Sequence, residues 1–234
     1  MIEVKNAVMR FEDKNALDGI SLTIPEGCAY GLLGSNGAGK STLLRALSGI
    51  NRLTGGEVLI DGQEVYDNAP VKERVFFIND ETVQFNSMTL TEMKQYYKSF
   101  YSSFDEALWE KLHSALDLPL KKRLNTFSKG MKKQLSILYG ICAGTDYIFC
   151  DETFDGLDPV MRQAVKSLFA AEIMNREFTP VIASHNLREL EDICDHVGLL
   201  HKGGILLSKD LDDMKLNIHK IQCVLKEGMT ADDL

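Results

Sequence analysis

The sequence predicts an α/β fold built around a mainly parallel sheet. Its first third alternates apolar and polar residues as strands do, its middle spaces apolar residues as helices do, and its last third alternates short strands with helices. Strands and helices that alternate along a chain form a parallel sheet, with a crevice at the carboxyl ends of the strands. A length of 234 residues, 44% hydrophobic and 26% charged, fits one large soluble domain or a domain with a sub-domain.

The first third contains mostly strands. β-Branched and apolar residues in near alternation predict strands over 2–11, 17–24 and 57–61, and an apolar run predicts a short buried strand over 29–33. Turn-forming Gly, Pro and Asp residues separate these segments. A helix is expected over 42–47, after the strand over 29–33.

The middle of the chain is predicted to be a helical insert over 86–143. Thr89 with Glu92, and Ser103 with Glu106, have the spacing of capping boxes at helix N-termini. A third helix is expected to start near Ser128 and to run to about residue 143.

The last third alternates again. Strands are predicted over 146–151 and 179–184. Asp158 followed by Pro159 opens one helix, and Asn186 caps another.

Between the strand over 29–33 and the helix over 42–47 lies a phosphate-binding loop of the pattern G-x-x-x-x-G-K-[ST]. Glycines let successive N–H groups turn onto phosphates, Lys40 supplies a charge for the β- and γ-phosphates, and Ser41 can ligate Mg²⁺. The strand before and the helix after favour this function over an ordinary glycine-rich turn. The residues expected at the nucleotide are Gly34, Ser35, Asn36, Gly37, Ala38, Gly39, Lys40, Ser41 and Thr42.

Two later strands end in residues that suit the same crevice. Asp151 and Glu152 close the strand over 146–151, where the first acid is expected beside the metal and the second near the γ-phosphate, able to polarise water. His185 follows the strand over 179–184 and can donate a hydrogen bond to a phosphate oxygen. The alternatives are solvated acids at a strand end and an exposed or structural histidine.

In this order, the motifs resemble those of the ATP-binding subunit of ATP-binding-cassette (ABC) transporters over nearly the whole chain. Phe11 stands where the family has an aromatic residue on adenine, and residues 156–158 match its D-loop. The family signature, Leu-Ser-Gly-Gly-Gln, corresponds to residues 127–131, in which Ser128 and Gly130 are kept. The resemblance implies that this segment binds the γ-phosphate of ATP held by a second subunit; Lys129 either adds attraction or faces solvent.

The resemblance also implies a P-loop NTPase core with an N-terminal antiparallel β sub-domain. Core and β sub-domain are expected over 1–85 and 144–234, and the inserted helical sub-domain with the signature over 86–143. Asp80 aligns with the family's Mg²⁺-contacting glutamine and is expected to ligate the metal; Gln84 is the weaker alternative. Thr153 replaces a common proline, which affects turn stiffness more than chemistry.

The motifs predict an ATPase that uses ATP and Mg²⁺. The resemblance implies that it powers a membrane transporter, most like two-component exporters, through closure of a homo- or heterodimer. Separate transmembrane permease subunits are the expected partners, and the chain is expected to be cytoplasmic at the inner face of the membrane. A formal charge of −8 argues against nucleic acid as a partner. There are two alternatives. One is a soluble ABC-type ATPase that acts on a non-transport partner; the other is a small-molecule kinase, which would not explain residues 127–131.

Overall fold

The computed structural model describes residues 1–12, 14–79, 87–116, 118–155 and 157–213. Its strands are β1 (Ile2–Phe11), β2 (Lys14–Ile24), β3 (Tyr30–Leu33), β4 (Gly55–Ile60), β5 (Gln63–Glu64), β6 (Val75–Ile78), β7 (Tyr147–Asp151), β8 (Thr179–Ser184), β9 (His196–His201) and β10 (Gly204–Asp210). Its α-helices are α1 (Lys40–Leu47), α2 (Ala69–Lys72), α3 (Leu90–Phe100), α4 (Glu106–Ala115), α5 (Lys129–Cys142), α6 (Pro159–Arg176) and α7 (Leu187–Glu191). A 3₁₀ turn covers Leu124–Thr126.

Two sheets organise the described chain and confirm the predicted α/β fold. The larger has the order β10-β9-β3-β8-β7-β6, in which all neighbours are parallel except the edge pair of β9 and β10. The smaller, β2-β1-β4-β5, is antiparallel throughout. Strands β3, β7 and β8 are adjacent and parallel, so the segments that follow them emerge at one edge of the sheet.

Two buried apolar clusters cover the two faces of the large sheet. One buried cluster joins the antiparallel sheet, helix α1 and one face of the parallel sheet; Tyr147, Phe149 and Val181 belong to it and are fully buried. A second cluster covers the opposite face with side chains of α6 and of the helical insert, including those of α5. Strands buried on both faces explain why their sequences are continuous apolar runs rather than alternating ones.

The helical insert is held together by aromatic packing. Trp109 on α4 stacks on Tyr139 of α5 with ring centroids 4.6 Å apart, and the Tyr139 hydroxyl donates to the Leu90 carbonyl at 2.9 Å. Helix α5 begins after Ser128 and ends at Cys142, which confirms the predicted helix. The boundaries at 85 and 144 stay predictions.

Of the two predicted capping boxes, one is confirmed and one is wrong. Thr89 and Glu92 bond each other's backbone N–H at the start of α3. At α4 the N-cap is Asp105, whose carboxylate accepts the Leu108 N–H at 2.8 Å. Ser103 instead donates its hydroxyl to the Ala143 carbonyl, because the end of α5 lies within reach at 2.8 Å.

Candidate functional site

The phosphate-binding loop joins the end of β3 to the first turn of α1. Gly39 is the N-cap of α1, with φ at 112°, and a Cβ there would lie 2.6 Å from the Ala16 carbonyl oxygen. A Cβ on Gly34 would lie 2.7 Å from the Leu200 carbonyl oxygen. A side chain at either position would collide with a carbonyl oxygen, and the positive φ of Gly39 also favours glycine there. No side chain caps α1, which leaves the N–H groups of its first turn available to an anion.

Lys40 and Ser41 start this helix, and neighbouring backbone and carboxylate groups orient their side chains. Lys40 is only 5% exposed, and its Nζ donates to the Gly34 carbonyl at 2.7 Å and to the Ser35 carbonyl at 3.3 Å. Ser41 Oγ donates to Asp151 Oδ1 at 2.9 Å. Lys40 is thus held by hydrogen bonds to carbonyls of its own loop, and Ser41 by a hydrogen bond to the carboxylate at the end of β7.

Glu152 follows β7, and its carboxylate lies between the Lys40 ammonium group and the His185 imidazole. Its Oε1 is 3.1 Å from Lys40 Nζ, and its Oε2 is 2.9 Å from His185 Nδ1. A carboxylate only accepts hydrogen bonds, so His185 Nδ1 is the donor in this contact when Glu152 is ionised. Glu152 therefore contacts both Lys40 and His185, and the three residues come from separate predicted motifs.

His185 lies in the turn between β8 and α7, which hydrogen bonds of the preceding residue hold in place. Its side chain is 48% exposed, whereas Ser184 before it is buried and donates its hydroxyl to Glu189 Oε2 at 2.8 Å. The Asn186 N–H donates to the same serine oxygen at 3.0 Å. The turn is thus fixed by two hydrogen bonds of the buried Ser184 hydroxyl, while the imidazole remains accessible from solvent.

A cavity of about 380 Å³ opens onto this cluster. Phe11, at the end of β1 and 52% exposed, contributes to its wall, as do Lys40, Ser41 and Glu152. The lining residues are Phe11, Lys14, Ala16, Asn36, Gly37, Gly39, Lys40, Ser41, Thr42 and Glu152. An aromatic wall at one end and a lysine with backbone N–H groups at the other suit a ligand with a flat ring and phosphates.

Lys14 and Ala16 are cavity residues that the motif search did not identify. They lie on β2, which pairs with β1 so that Lys14 is opposite Phe11. The predicted strand began only at residue 17, three residues after β2 starts. A hairpin prediction that paired the two strands would have found them.

The Ser41 and Asp151 pair fits a magnesium ion. A hydroxyl and a carboxylate 2.9 Å apart provide hard oxygen ligands, and Mg²⁺ takes one or two such protein ligands together with waters and substrate phosphates. The described residues contain no cluster of three or more His, Cys, Asp or Glu that would form an all-protein cage.

Some predicted site residues lie elsewhere or outside the described part. Ser128 and Gly130 are not among the described residues that line the cavity. Ser128 is exposed and caps α5 by accepting the Met131 N–H at 3.2 Å. Asp80, the alternative Gln84, and Gly156 of the D-loop match lie outside the described residues.

The described cysteines have no evident part in chemistry at this site. Cys28, Cys142, Cys150 and Cys194 are buried and free. Burial raises the pKa of the Cys28 thiol to about 12, and it raises the pKa of the other three as well, so these thiols stay protonated near neutral pH.

Comparison with known proteins decides the family. The family model described as "ABC transporter" matches residues 17–155, more than half of the chain. The chain belongs to the ABC transporter family. Within this family it is an ATP-binding subunit: it is 32% identical over 222 residues to the ABC transporter ATP-binding protein YtrB of Bacillus subtilis, with 95% of this chain and 76% of that protein covered.

Further matches within the ABC family agree. An uncharacterised ABC transporter ATP-binding protein, all4389, of Nostoc sp. is 33% identical over 210 residues; 85% of this chain is covered, and the match spans only 61% of that longer protein. Among solved structures, an ATP-binding subunit of an ABC transporter superposes with a TM-score of 0.83 at 26% identity, covering 93% of this chain and 92% of that chain. In the described part of the chain, no helix has the length and apolar character needed to cross a bilayer.

Proposed function

We propose that this chain binds ATP with Mg²⁺ and hydrolyses it in a site that a second subunit completes. The observation that carries the proposal is the position of the Glu152 carboxylate, in contact with Lys40 and His185 beside the Ser41 and Asp151 pair. A carboxylate next to the phosphate-binding lysine is positioned to act on water at the γ-phosphate.

Each residue has a distinct role in this mechanism. The loop N–H groups and Lys40 bind the phosphates, and Glu152 takes a proton from the water that attacks the γ-phosphorus while the bond to the leaving ADP oxygen breaks. His185 orients Glu152 through Nδ1; donation from Nε2 to the phosphate at the same time requires the imidazolium form. Magnesium, held by Ser41 and Asp151, would neutralise charge that develops on the phosphate oxygens.

The site is half of a composite site in this proposal. Ser128, which is exposed, and Gly130, which is half-buried, lie at the N-terminus of α5, and neither lines this chain's own cavity. Such a terminus suits an anion brought by another molecule. We infer that it meets the γ-phosphate held by a second subunit in a head-to-tail pair.

A mixing experiment tests this composite site. A Lys40→Ala chain and a Ser128→Arg chain should each hydrolyse ATP poorly alone, because both sites of either homodimer carry a defect. In a mixed dimer, one site combines the intact Lys40 of one chain with the intact Ser128 of the other. Random pairing should therefore restore roughly a quarter of the wild-type rate per chain.

The control is each variant mixed with itself at the same total concentration, with circular dichroism to verify folding. A Ser128→Arg chain that hydrolyses ATP at the wild-type rate would overturn the composite site. Absence of any recovery on mixing two folded, inactive chains would overturn it equally.

Phe11 provides a separate test of adenine binding. Phe11→Ala should weaken ATP binding roughly tenfold, since stacking of a base on an aromatic ring contributes on the order of 1–3 kcal/mol. Affinity for inorganic tripolyphosphate, which lacks the ring, should not change. Isothermal titration of both ligands measures this, with Leu206→Ala as a control at an exposed apolar residue outside the cavity. Equal loss for both ligands would contradict a role in adenine binding.

We also propose that the chain docks onto separate transmembrane permease subunits at the cytoplasmic face of the membrane and works in export. Family membership supports a transporter partner, and the resemblance of residues 127–131 to exporter signatures supports the direction. Expression with candidate permeases should bring the chain into the membrane fraction. A chain that stays in the supernatant beside its inserted permease would contradict docking.

A further inference from the structure

Lys133, on the second turn of α5, is a buried cation that no motif predicts. Its side chain is 3% exposed, and its Nζ donates to two backbone carbonyls, that of Glu152 at 2.8 Å and that of Asp155 at 2.9 Å. Burying an ammonium group is unfavourable unless it is well hydrogen-bonded, so the two carbonyls must stay within reach of Lys133 in the folded chain. Both acceptors belong to the segment that follows β7 and carries the proposed general base.

Glu152 has a backbone that needs such support. It has φ at 49°, in the left-handed region that residues other than glycine rarely adopt. Its N–H donates to the Ala183 carbonyl at 3.1 Å, and its own carbonyl accepts from Lys133. The peptide groups on both sides of the residue are thus held, which fixes the direction in which its side chain leaves the backbone.

We propose that Lys133 is a positioning residue that holds Glu152 in the geometry needed to activate water. The inference rests on the proposed function and adds a link within the chain. Lys133 lies on the helix whose first residues would meet the nucleotide of a second subunit, and it contacts the backbone of this chain's own Glu152. A displacement of α5 by that second nucleotide would therefore be transmitted to the proposed general base.

A purely structural role would be satisfied by any group that fills the space and preserves the fold. A positioning role requires that turnover change while nucleotide binding does not, because the two carbonyls that Lys133 bonds belong to the segment after β7 and not to the phosphate-binding loop. The two roles therefore differ in the kinetic constant that they affect.

Steady-state ATP hydrolysis by the full chain provides the first test. Lys133→Met should lower kcat roughly ten- to hundredfold with KM nearly unchanged, as expected when a reacting group is displaced by about 1 Å. Lys133→Arg, which can still donate to both carbonyls, should restore most of the rate. The matched control is Lys111→Met on α4, an exposed lysine of the same insert, which should be neutral.

Hydrogen–deuterium exchange, without nucleotide, provides a readout that does not need turnover. Lys133→Met should speed exchange of the amides over 152–155 relative to the wild type, while the amides of α1 exchange as before. Lys111→Met should change neither segment.

The outcomes separate the two proposals. A wild-type chain without ATPase activity refutes the proposed function, whereas the exchange experiment still tests whether Lys133 holds the segment. A folded Lys133→Met chain with wild-type kcat, unchanged exchange over 152–155, or an equal loss of kcat and ATP affinity overturns the inference.

Discussion

Glu152→Gln is expected to lower ATP turnover by roughly 10²- to 10⁴-fold, the usual contribution of a general base, while ATP still binds. The amide has the same shape, and its oxygen can still accept from Lys40, so the cavity and its phosphate contacts should be preserved. The amide takes no proton from water, however, so the chemical step should stop. Phosphate release at saturating ATP, with ATP affinity measured on the same sample, tests this.

The matched control is Glu191→Gln, the same substitution at an exposed glutamate at the end of α7. It should hydrolyse ATP as the wild type does. A Glu152→Gln chain with wild-type turnover would show that another group activates the water.

Lys40→Ala is expected to weaken ATP binding by one to two orders of magnitude. A hydrogen bond to a charged group contributes about 1.5–3 kcal/mol, and each 1.4 kcal/mol is tenfold in affinity. The substitution also removes the ammonium group beside Glu152 and the donor to two loop carbonyls, so the Glu152 carboxylate keeps His185 but loses its cationic neighbour in the cavity. Titration with ATP measures the loss.

Lys111→Ala, which removes an exposed lysine of α4 remote from the loop, should bind ATP normally. Equal ATP affinity of Lys40→Ala and the wild type would refute the phosphate-binding loop assignment.

The fold was predictable because its signals are local. Apolar runs indicated β3, β7 and β8, and the rule that parallel strands end at one edge of a sheet predicted that residues 34, 152 and 185 lie close together. The cluster of Lys40, Glu152 and His185 is the geometric consequence of that rule.

What the sequence did not predict depends on contacts between distant segments. Ser103 had the spacing of a helix cap, but the Ala143 carbonyl competed for its hydroxyl and Asp105 became the cap. Lys14 entered the cavity because β2 begins earlier than its apolar pattern. Lys133 follows the signature segment at 127–131 but has no motif of its own, because its partners are backbone carbonyls about twenty residues away that any sequence could provide.

The composite site is tested most directly by the mass of the Glu152→Gln chain in sedimentation with and without Mg²⁺ and ATP. A chain that binds ATP without hydrolysing it should collect as an ATP-bound dimer, because the nucleotide would be held between residues 34–41 of one subunit and Ser128 of the other. We expect twice the chain mass with ATP and the single-chain mass without it, and Ser128→Arg in the same chain should abolish the dimer. A single-chain mass at saturating ATP would contradict the account.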